Sequence, residues 1–197
     1  MTERECDQLL VARFQSGETG AFDLLVARHQ HRLMRMISRI VRNPQEAEDM
    51  VQETFINAYR GMRLFRGEAA FRTWLYRIGI NAAKNCMAAQ RQRLATESDA
   101  GIDPDGVVAE QLRDLNTPES LLATKQLAAI LEQALAALPL DLRSALVLRE
   151  IEGCGYEEIS AIMACPIGTV RSRIFRARDL IADKLRPMLE NQGEGRW

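Results

Sequence analysis

The stretch YEEISAIMACPIGTVRSRIFRAR, residues 156–178, has the layout of two helices separated by a tight turn. Pro166 and Gly168 mark the turn, and a second helix is predicted from Thr169 to about Arg186. The first helix is short and has an apolar face formed by Ile159, Ile162 and Met163. This arrangement is that of a helix-turn-helix, in which the second helix enters the major groove of DNA.

The second helix of this motif separates apolar from basic side chains. Its buried stripe is predicted to consist of Val170, Ile174, Ala177, Ile181 and Leu185. The opposite face carries Ser172, Phe175 and Arg176, with Arg171 and Arg173 on its flanks. Arginine can donate two hydrogen bonds to one guanine, and flanking arginines can neutralise phosphates. A solvated basic face is the alternative, but the preceding turn favours DNA binding.

The charge of the chain is unevenly distributed. Lys and Arg number 26 and Asp and Glu number 27, yet residues 1–95 carry a net charge of +5 and residues 96–150 one of −6. This asymmetry indicates a polyanionic partner for some faces of the N-terminal part. The four cysteines form no CxxC pair, so we expect reduced thiols, no metal and no cofactor. No signal peptide or membrane span is predicted.

The N-terminal part is predicted to be helical throughout, without a sheet. Residues 21–41 repeat apolar side chains at helical spacing. Asn43 is the predicted N-cap of a second helix, with Pro44 at its first position and Glu46 as the return residue of a capping box. A third helix is predicted from about Ala69 to about Arg93.

An acidic segment divides the chain. Residues 96–118 contain six acids, one arginine, two glycines and two prolines, with little apolar periodicity. Such a composition offers too little apolar surface to offset the entropy of ordering, so a flexible linker is predicted. Helical patterning resumes beyond it. We therefore predict an all-α protein with two small helical domains, residues 1–95 and residues 119–192, joined by a flexible acidic linker.

The stretch FRGEAAFRTWLYRIGINAAKNCMAAQRQR, residues 65–93, combines aromatic and basic side chains. A core stripe is predicted for Phe71, Leu75, Ile78 and Ala82. Trp74, Arg77, Asn81, Lys84 and Asn85 share another side. Rings, amides and basic groups together suit unstacked bases of single-stranded or partly melted nucleic acid. A purely structural role, with Trp74 in the core and the arginines solvated, fits the composition equally well.

Five segments taken together resemble the extracytoplasmic-function (ECF, group 4) sigma factors of bacterial RNA polymerase, of the sigma-E type. They read AFDLLVARHQHRL, AEDMVQETFINAYR, FRGEAAFRTWLYRIGINAAKN, LPLDLRSALVLREIEGCGYEEISAIM and CPIGTVRSRIFRAR. Their order and separation match the family over nearly the whole chain. The resemblance implies sigma domain 2 in residues 1–95, a linker in residues 96–118 and sigma domain 4 in residues 119–192.

The resemblance implies that the helix containing DMVQETFINAYR docks on the clamp helices of the polymerase β′ subunit, with the β flap as a further polymerase contact. The docking residues would be Asp49, Gln52, Glu53 and Ile56. Acids near the start of this helix could instead merely complement the helix dipole. Glu53 lies too far into the helix for that role, which favours docking.

The resemblance also implies two DNA-binding sites. In the family the −10 strand is melted and a base is flipped into a pocket. The matching residues here are Phe65, Arg66, Gly67, Ala70, Trp74, Arg77, Asn81 and Lys84. The recognition helix would bind the −35 element through Thr169, Arg171, Ser172, Arg173, Phe175 and Arg176.

The function implied is that of a non-enzymatic specificity subunit. It would bring core RNA polymerase to promoter DNA for transcription initiation in an envelope or extracytoplasmic stress response, with no small-molecule substrate. Control by an anti-sigma factor anchored in the inner membrane is implied as well, with the sigma factor in the cytoplasm or held at that membrane. The rival hypothesis is a stand-alone DNA-binding regulator with a sensing domain. A phosphorylated receiver domain would need strands, which residues 1–95 do not show.

Overall fold

The computed structural model describes residues 2–41, 43–97 and 129–193, and these form helices and connections without a strand. The eight α-helices of this part are α1 Glu3–Gln15, α2 Gly20–Ile40, α3 Pro44–Gly61, α4 Phe71–Glu97, α5 residues 129–137, α6 Leu140–Glu150, α7 Tyr156–Met163 and α8 Ile167–Gly193. The predicted all-α class is confirmed. Of the predicted linker, residues 96–118, the structure describes only residues 96 and 97, which belong to the end of α4. The rest lies outside the described residues.

Helix α1, for which the sequence analysis gave no boundaries, packs across α2. Thr2 and Glu5 form a capping box at its start, each accepting a hydrogen bond from the backbone N–H of the other. Asp7 of α1 is buried against the buried His29 of α2, whose Nε2 donates to Asp7 Oδ2 at 2.9 Å. The Arg28 guanidinium lies 3.2 Å from the other carboxylate oxygen. A buried hydrogen bond to His29 and an ion pair with Arg28 therefore fix α1 on α2.

Helices α2, α3 and α4 form the core of the N-terminal unit and have nearly the predicted bounds. Gly79 lies at the centre of their crossing. A Cβ there would come within 3.3 Å of the Ile37 and Leu33 side chains, which is tighter than ordinary van der Waals contact. Glycine in the interior of a helix costs about 1 kcal/mol relative to alanine. The close approach of α4 to α2 explains why Gly79 is nevertheless found here.

One detail of the predicted capping is wrong. Asn43 is the N-cap of α3 and Pro44 its first residue, as predicted, and the Asn43 side chain accepts a hydrogen bond from the Gln45 backbone at 2.9 Å. Glu46, however, does not reach back to the cap. Its carboxylate accepts from Gln90 Nε2 of α4 at 3.3 Å, so a tertiary contact replaces the local one.

Helices α5 to α8 form the C-terminal unit, and α7 and α8 are the two helices of the predicted helix-turn-helix. The turn lies slightly earlier than predicted. Ala164 ends α7 in the left-handed conformation, with φ of 51°, and α8 begins at Ile167, so that Gly168 belongs to its first turn. The buried residues of the pair are Ile159, Ile162, Met163, Val170, Ile174 and Ala177. The predicted stripe is thus buried at Val170, Ile174 and Ala177, whereas Ile181 and Leu185, farther along α8, are only partly buried.

The two units pack against each other. Helix α4 contacts α7, and α2 contacts α6, so the two predicted domains share a continuous apolar cluster. Arg143 of α6 crosses this seam and is only 3% exposed. Its Nη1 donates to the Ile40 carbonyl at the end of α2, at 2.7 Å.

Candidate nucleic-acid interface

The outward face of α8 is fully presented to solvent. Arg171, Ser172, Phe175 and Arg176 are all exposed, and the Phe175 side chain reaches 71% exposure. A large exposed aromatic side chain flanked by arginines has no role in the packing of the C-terminal unit. These four residues of the predicted −35 site are thus separate from the packed side of α8.

The flanks of this face are held by neighbouring groups. The Arg171 guanidinium lies over the Tyr156 ring of α7, 5.3 Å from its centroid. Arg173 is half-buried, and its Nη2 donates to Asp141 Oδ2 at 2.7 Å. Thr169 accepts through its backbone carbonyl from the Ser172 hydroxyl at 2.9 Å. Within the described residues, Arg173 is therefore the one of the six predicted −35 residues that forms an ion pair with an acid of the chain.

The predicted docking face of α3 is exposed. Asp49, Gln52, Glu53 and Ile56 all lie on the surface, while the opposite side of α3 packs on α2 and α4. A shallow apolar depression beside them is lined by Phe22, Phe55, Ile56, Tyr59 and Arg60. Acidic and apolar groups therefore lie side by side on the exposed surface at α3.

The loop before α4 holds four of the predicted −10 residues. Gly67 adopts φ of +73°, a conformation that favours glycine. The Phe65 ring packs on Trp74, with centroids 4.8 Å apart, and Gln15 Nε2 donates to the Phe65 carbonyl at 2.8 Å. Arg66 is exposed, whereas Gly67 and Ala70 are partly covered. The loop is thus anchored at its start and presents its arginine outward.

Helix α4 presents its other predicted −10 residues unequally. Arg77 and Asn81 are exposed, and Trp74 is half-buried against Phe65, so its ring serves packing at least in part. Lys84 is half-buried, and its Nζ lies 3.2 Å from Asp141 Oδ1. One side of this face is therefore open and the other is paired with an acid of α6.

Glu158 of α7 makes a contact that the sequence analysis missed. Its Oε1 accepts from Arg72 Nη2 at 2.9 Å and from the Thr73 hydroxyl at 3.0 Å, both on α4. Burial would raise the pKa of Glu158, but the hydrogen bonds from Arg72 and Thr73 outweigh it and hold the pKa below its ordinary 4.5. The carboxylate is charged at neutral pH and bonds to α4.

Glu152, in the connection between α6 and α7, makes a second contact of this kind. Its side chain is 2% exposed and accepts from the Tyr76 hydroxyl at 2.6 Å and from Arg35 Nε at 3.3 Å. Burial and the bond to Glu152 raise the pKa of Tyr76, so the phenol keeps its proton and donates it. Burial, with Glu158 nearby, raises the pKa of the Cys154 thiol to about 12, which leaves it protonated.

The comparisons with known proteins identify the family of the chain. The chain matches Sigma-70 region 2 over residues 25–93 and Sigma-70 region 4 over residues 128–181. It is 46% identical over 195 residues to the ECF RNA polymerase sigma-E factor of Escherichia coli K12, covering 96% of this chain and 99% of that one. The chain belongs to the sigma-70 family, in its ECF branch.

Two further relatives extend the comparison. The RNA polymerase sigma-H factor of Pseudomonas aeruginosa is 47% identical over 190 residues, covering 96% of this ECF sigma factor and 98% of the relative. The solved structure of CnrH in complex with the cytosolic domain of CnrY has a TM-score of 0.65 at 27% identity, covering 92% of this chain and 98% of CnrH. The fold and the family agree over nearly the full length.

Family membership decides between the two functional hypotheses. As an ECF sigma factor, the protein is a transcription initiation factor that binds core RNA polymerase and directs it to promoters, and it is not an enzyme. The stand-alone regulator is thereby excluded. None of the helices in the described part of the chain has the length and apolar character of a membrane span.

Proposed function

We propose that this ECF sigma factor uses three separate faces for its three macromolecular contacts. Residues 1–95 act as domain 2, which docks on polymerase through α3 and binds the melted −10 strand through α4 and the loop before it. Residues 119–192 act as domain 4, which binds the −35 element through α8, and residues 96–118 connect the two. The observation that carries the proposal is that the α8 and α3 faces are exposed although neither serves the fold.

The −35 assignment rests on the geometry of α8. Arg176 is exposed opposite the buried Val170 and Ile174, so its guanidinium can reach a guanine edge without disturbing the packing. Arg171 lies over Tyr156, and a held guanidinium loses less entropy when it binds a phosphate. Phe175 offers an apolar contact to a thymine methyl group.

The −10 assignment rests on the loop and on α4. Arg66, Arg77 and Asn81 are exposed beside the aromatic group of Phe65 and Trp74. A flipped base needs a ring to stack on and hydrogen-bonding groups for its edge. The positive φ of Gly67 gives the loop a sharp bend at which backbone can approach a base.

Control by an anti-sigma factor is part of the proposal. The solved relative CnrH is bound to the cytosolic domain of CnrY, and the exposed apolar and acidic face of α3 offers a comparable protein partner a surface. We infer that such an inhibitor, anchored in the inner membrane, holds this sigma factor there during unstressed growth. Its release into the cytoplasm would start an envelope stress response.

Reconstitution with core polymerase tests this function. Purified sigma factor and core polymerase are mixed with fragmented genomic DNA of the source organism, and the 5′ ends of the transcripts are mapped. We expect a small set of start sites that share −10 and −35 sequences, and co-elution of the two proteins without DNA. The free protein should bind those promoters weakly at physiological salt, because its net charge is near zero. Transcription that does not depend on the added protein would contradict the proposal.

The docking face is tested by the substitution Glu53→Arg. Arginine is a good helix former, so the melting temperature should change little, whereas a reversed charge on the α3 face should weaken core binding about tenfold or more. Glu132→Arg, an equal charge change on the exposed side of α5, is the control and should bind core normally. Normal core binding by Glu53→Arg would remove this face from the proposal.

A further inference from the structure

Leu64 is the most exposed large apolar side chain in the described part of the chain, at 84% exposure, and Phe175 is the next, at 71%. Phe175 precedes the exposed Arg176 in the predicted −35 site. Leu64 lies between the exposed Arg63 and Arg66, directly before the loop of the predicted −10 site. An exposed apolar side chain next to arginine therefore occurs at both predicted DNA-binding sites.

The backbone that carries Leu64 is held on both sides of it. It forms a 3-10 turn, Met62–Leu64, which the Phe65 N–H closes by donating to the Met62 carbonyl at 3.2 Å. The Met62 side chain is fully buried, and the Phe65 ring packs on Trp74. Because the residues on either side are anchored, the Leu64 side chain extends into solvent from a defined backbone.

Gln15, the last residue of α1, fastens this turn from a distant part of the chain. Its Nε2 donates to the Met62 carbonyl at 3.0 Å and to the Phe65 carbonyl at 2.8 Å. A side-chain amide has two N–H donors, one for each of these carbonyls. The two acceptors flank Leu64 in the sequence. Gln15 thus adds two tertiary hydrogen bonds to the backbone bond that closes the turn.

The charge around Leu64 favours DNA over a further contact with polymerase. Within the described residues, neither Arg63 nor Arg66 forms an ion pair with an acid of the chain. Glu68 is the one acid of residues 54–96, whereas the proposed docking face of α3 is acidic. A nucleic-acid strand presents base faces between phosphates. An apolar side chain between unpaired arginines complements that alternation.

We propose that Leu64 is a further contact of the −10 site, packing on the base next to the flipped base of the melted strand, and that Gln15 is the positioning residue that holds it there. Arg63 and Arg66 neutralise the adjacent phosphates. The proposal rests on the assignment of the loop before α4 to −10 binding made above, and it extends that site to the preceding turn. Leucine has no hydrogen-bonding side-chain group, so the base it favours is thymine, through the methyl group.

Transcription by the reconstituted holoenzyme tests this contact. A promoter found by mapping transcript ends is prepared with each base in turn at every −10 position, and Leu64→Gln is compared with the wild type. We expect the preference for thymine at one position to fall about fivefold or more, with the other positions unchanged. Leu9→Gln is the control, because Leu9 is the next most exposed leucine of the described residues and lines a depression with Leu24 and Arg28. It should keep the wild-type preferences.

An abasic nucleotide shows whether Leu64 acts on the base itself. It is placed in the melted strand at the position that the first experiment identifies, and open-complex formation is measured for the wild type and Leu64→Gln. The two proteins should then perform equally, because the packing partner of Leu64 is gone. The contact would be overturned by a difference that persists on abasic DNA, by equal losses at every −10 position, by wild-type preferences in Leu64→Gln, or by weaker binding of this variant to core polymerase.

The substitution Gln15→Met tests the positioning role. Methionine has nearly the same length but donates no hydrogen bond. We expect the variant to relax the preference at the same −10 position as Leu64→Gln, and the double variant to lose no more than Leu64→Gln alone, since both changes remove one contact. Gln8→Met, the same change at an exposed position earlier in α1, should match the wild type. Equal losses from all promoters, in step with a lower melting temperature, would leave Gln15 a structural role only.

Failure of this proposal is distinguishable from failure of the proposed function. Shared −10 sequences among the mapped promoters, together with wild-type preferences in Leu64→Gln, would overturn the contact of Leu64 and leave the function intact. An absence of promoters with a shared −10 sequence would contradict the proposed function, and with it the −10 contact that rests on it.

Discussion

The two predicted DNA-binding helices of this sigma factor differ in how much of their binding face is free. Helix α8 presents Arg171, Phe175 and Arg176 to solvent and buries its apolar side in the C-terminal unit. Helix α4 is packed on two sides, against α2 and α3 within its own unit and against α7 of the other. Its DNA face is therefore reduced to one exposed strip, bordered by the paired Lys84.

The difference follows from the position of each helix in the fold. Helix α8 extends from the edge of a small unit, so a polar face there costs the core nothing. Helix α4 is central, and Gly79 allows it to approach α2 closely. A central helix buries polar side chains only where they are paired. Arg72, Tyr76 and Lys84 find those partners in the C-terminal unit.

The largest effect is expected from breaking the seam at Arg143. Arg143→Ala removes the buried hydrogen bonds to Ile40 and to the end of α5, so the free energy of unfolding should fall by about 3 kcal/mol. Arg149→Ala is the matched control, because Arg149 donates one hydrogen bond within its own unit, to Cys154 at 2.9 Å, and should cost about 1 kcal/mol. Urea unfolding measures both. Equal losses for the two variants would show that the bond from Arg143 to Ile40 across the seam adds no stability beyond that of a hydrogen bond within one unit.

A smaller effect, limited to one base, should appear on the open face. Arg176→Ala should cost about 1–3 kcal/mol at one −35 position and relax the preference there. Arg173→Ala should instead weaken all promoters about equally and reduce the salt slope by about one, as for a phosphate contact. Transcription from single-base variants of the −35 element distinguishes the two patterns. If Arg176→Ala lowered transcription equally from all −35 variants, Arg176 would be a phosphate contact. The base contact would then be assigned to its exposed neighbours.

The helices and the outward face of α8 could be predicted from the sequence because helical periodicity is local. The spacing of Val170, Ile174 and Ala177 alone fixes which side of α8 is buried. Phe175, one position after the buried Ile174, then lies on the exposed side of the helix. The docking residues of α3 were implied by the family resemblance, and helical spacing puts Asp49, Gln52, Glu53 and Ile56 on one side of the helix, which is exposed.

The pairings across the seam could not be predicted, since they depend on tertiary contacts between distant segments. Glu158 and Arg72 are 86 positions apart, and the local sequence around either residue does not indicate the other as its partner. Glu46 shows the same limit on a smaller scale. Its position fits a capping box, yet it bonds to Gln90, 44 positions away. The charge asymmetry along the chain indicates a polyanionic partner and does not single out these pairs, because six of the ten acids of residues 96–150 lie in residues 96–118.

The reactivity of the lysines tests most directly whether α4 is covered while α8 is open. The chain has three lysines, of which Lys84 lies on α4, paired with Asp141, and Lys184 is exposed on α8. The free protein is treated briefly with an amine-acetylating reagent, and modification at each site is followed by mass spectrometry. We predict that Lys84 reacts several-fold more slowly than Lys184 in the wild type, and that the difference disappears in Asp141→Lys with Glu158→Lys but not in Glu132→Lys with Glu157→Lys. Equal rates for Lys84 and Lys184 in the wild type would contradict the covered face of α4.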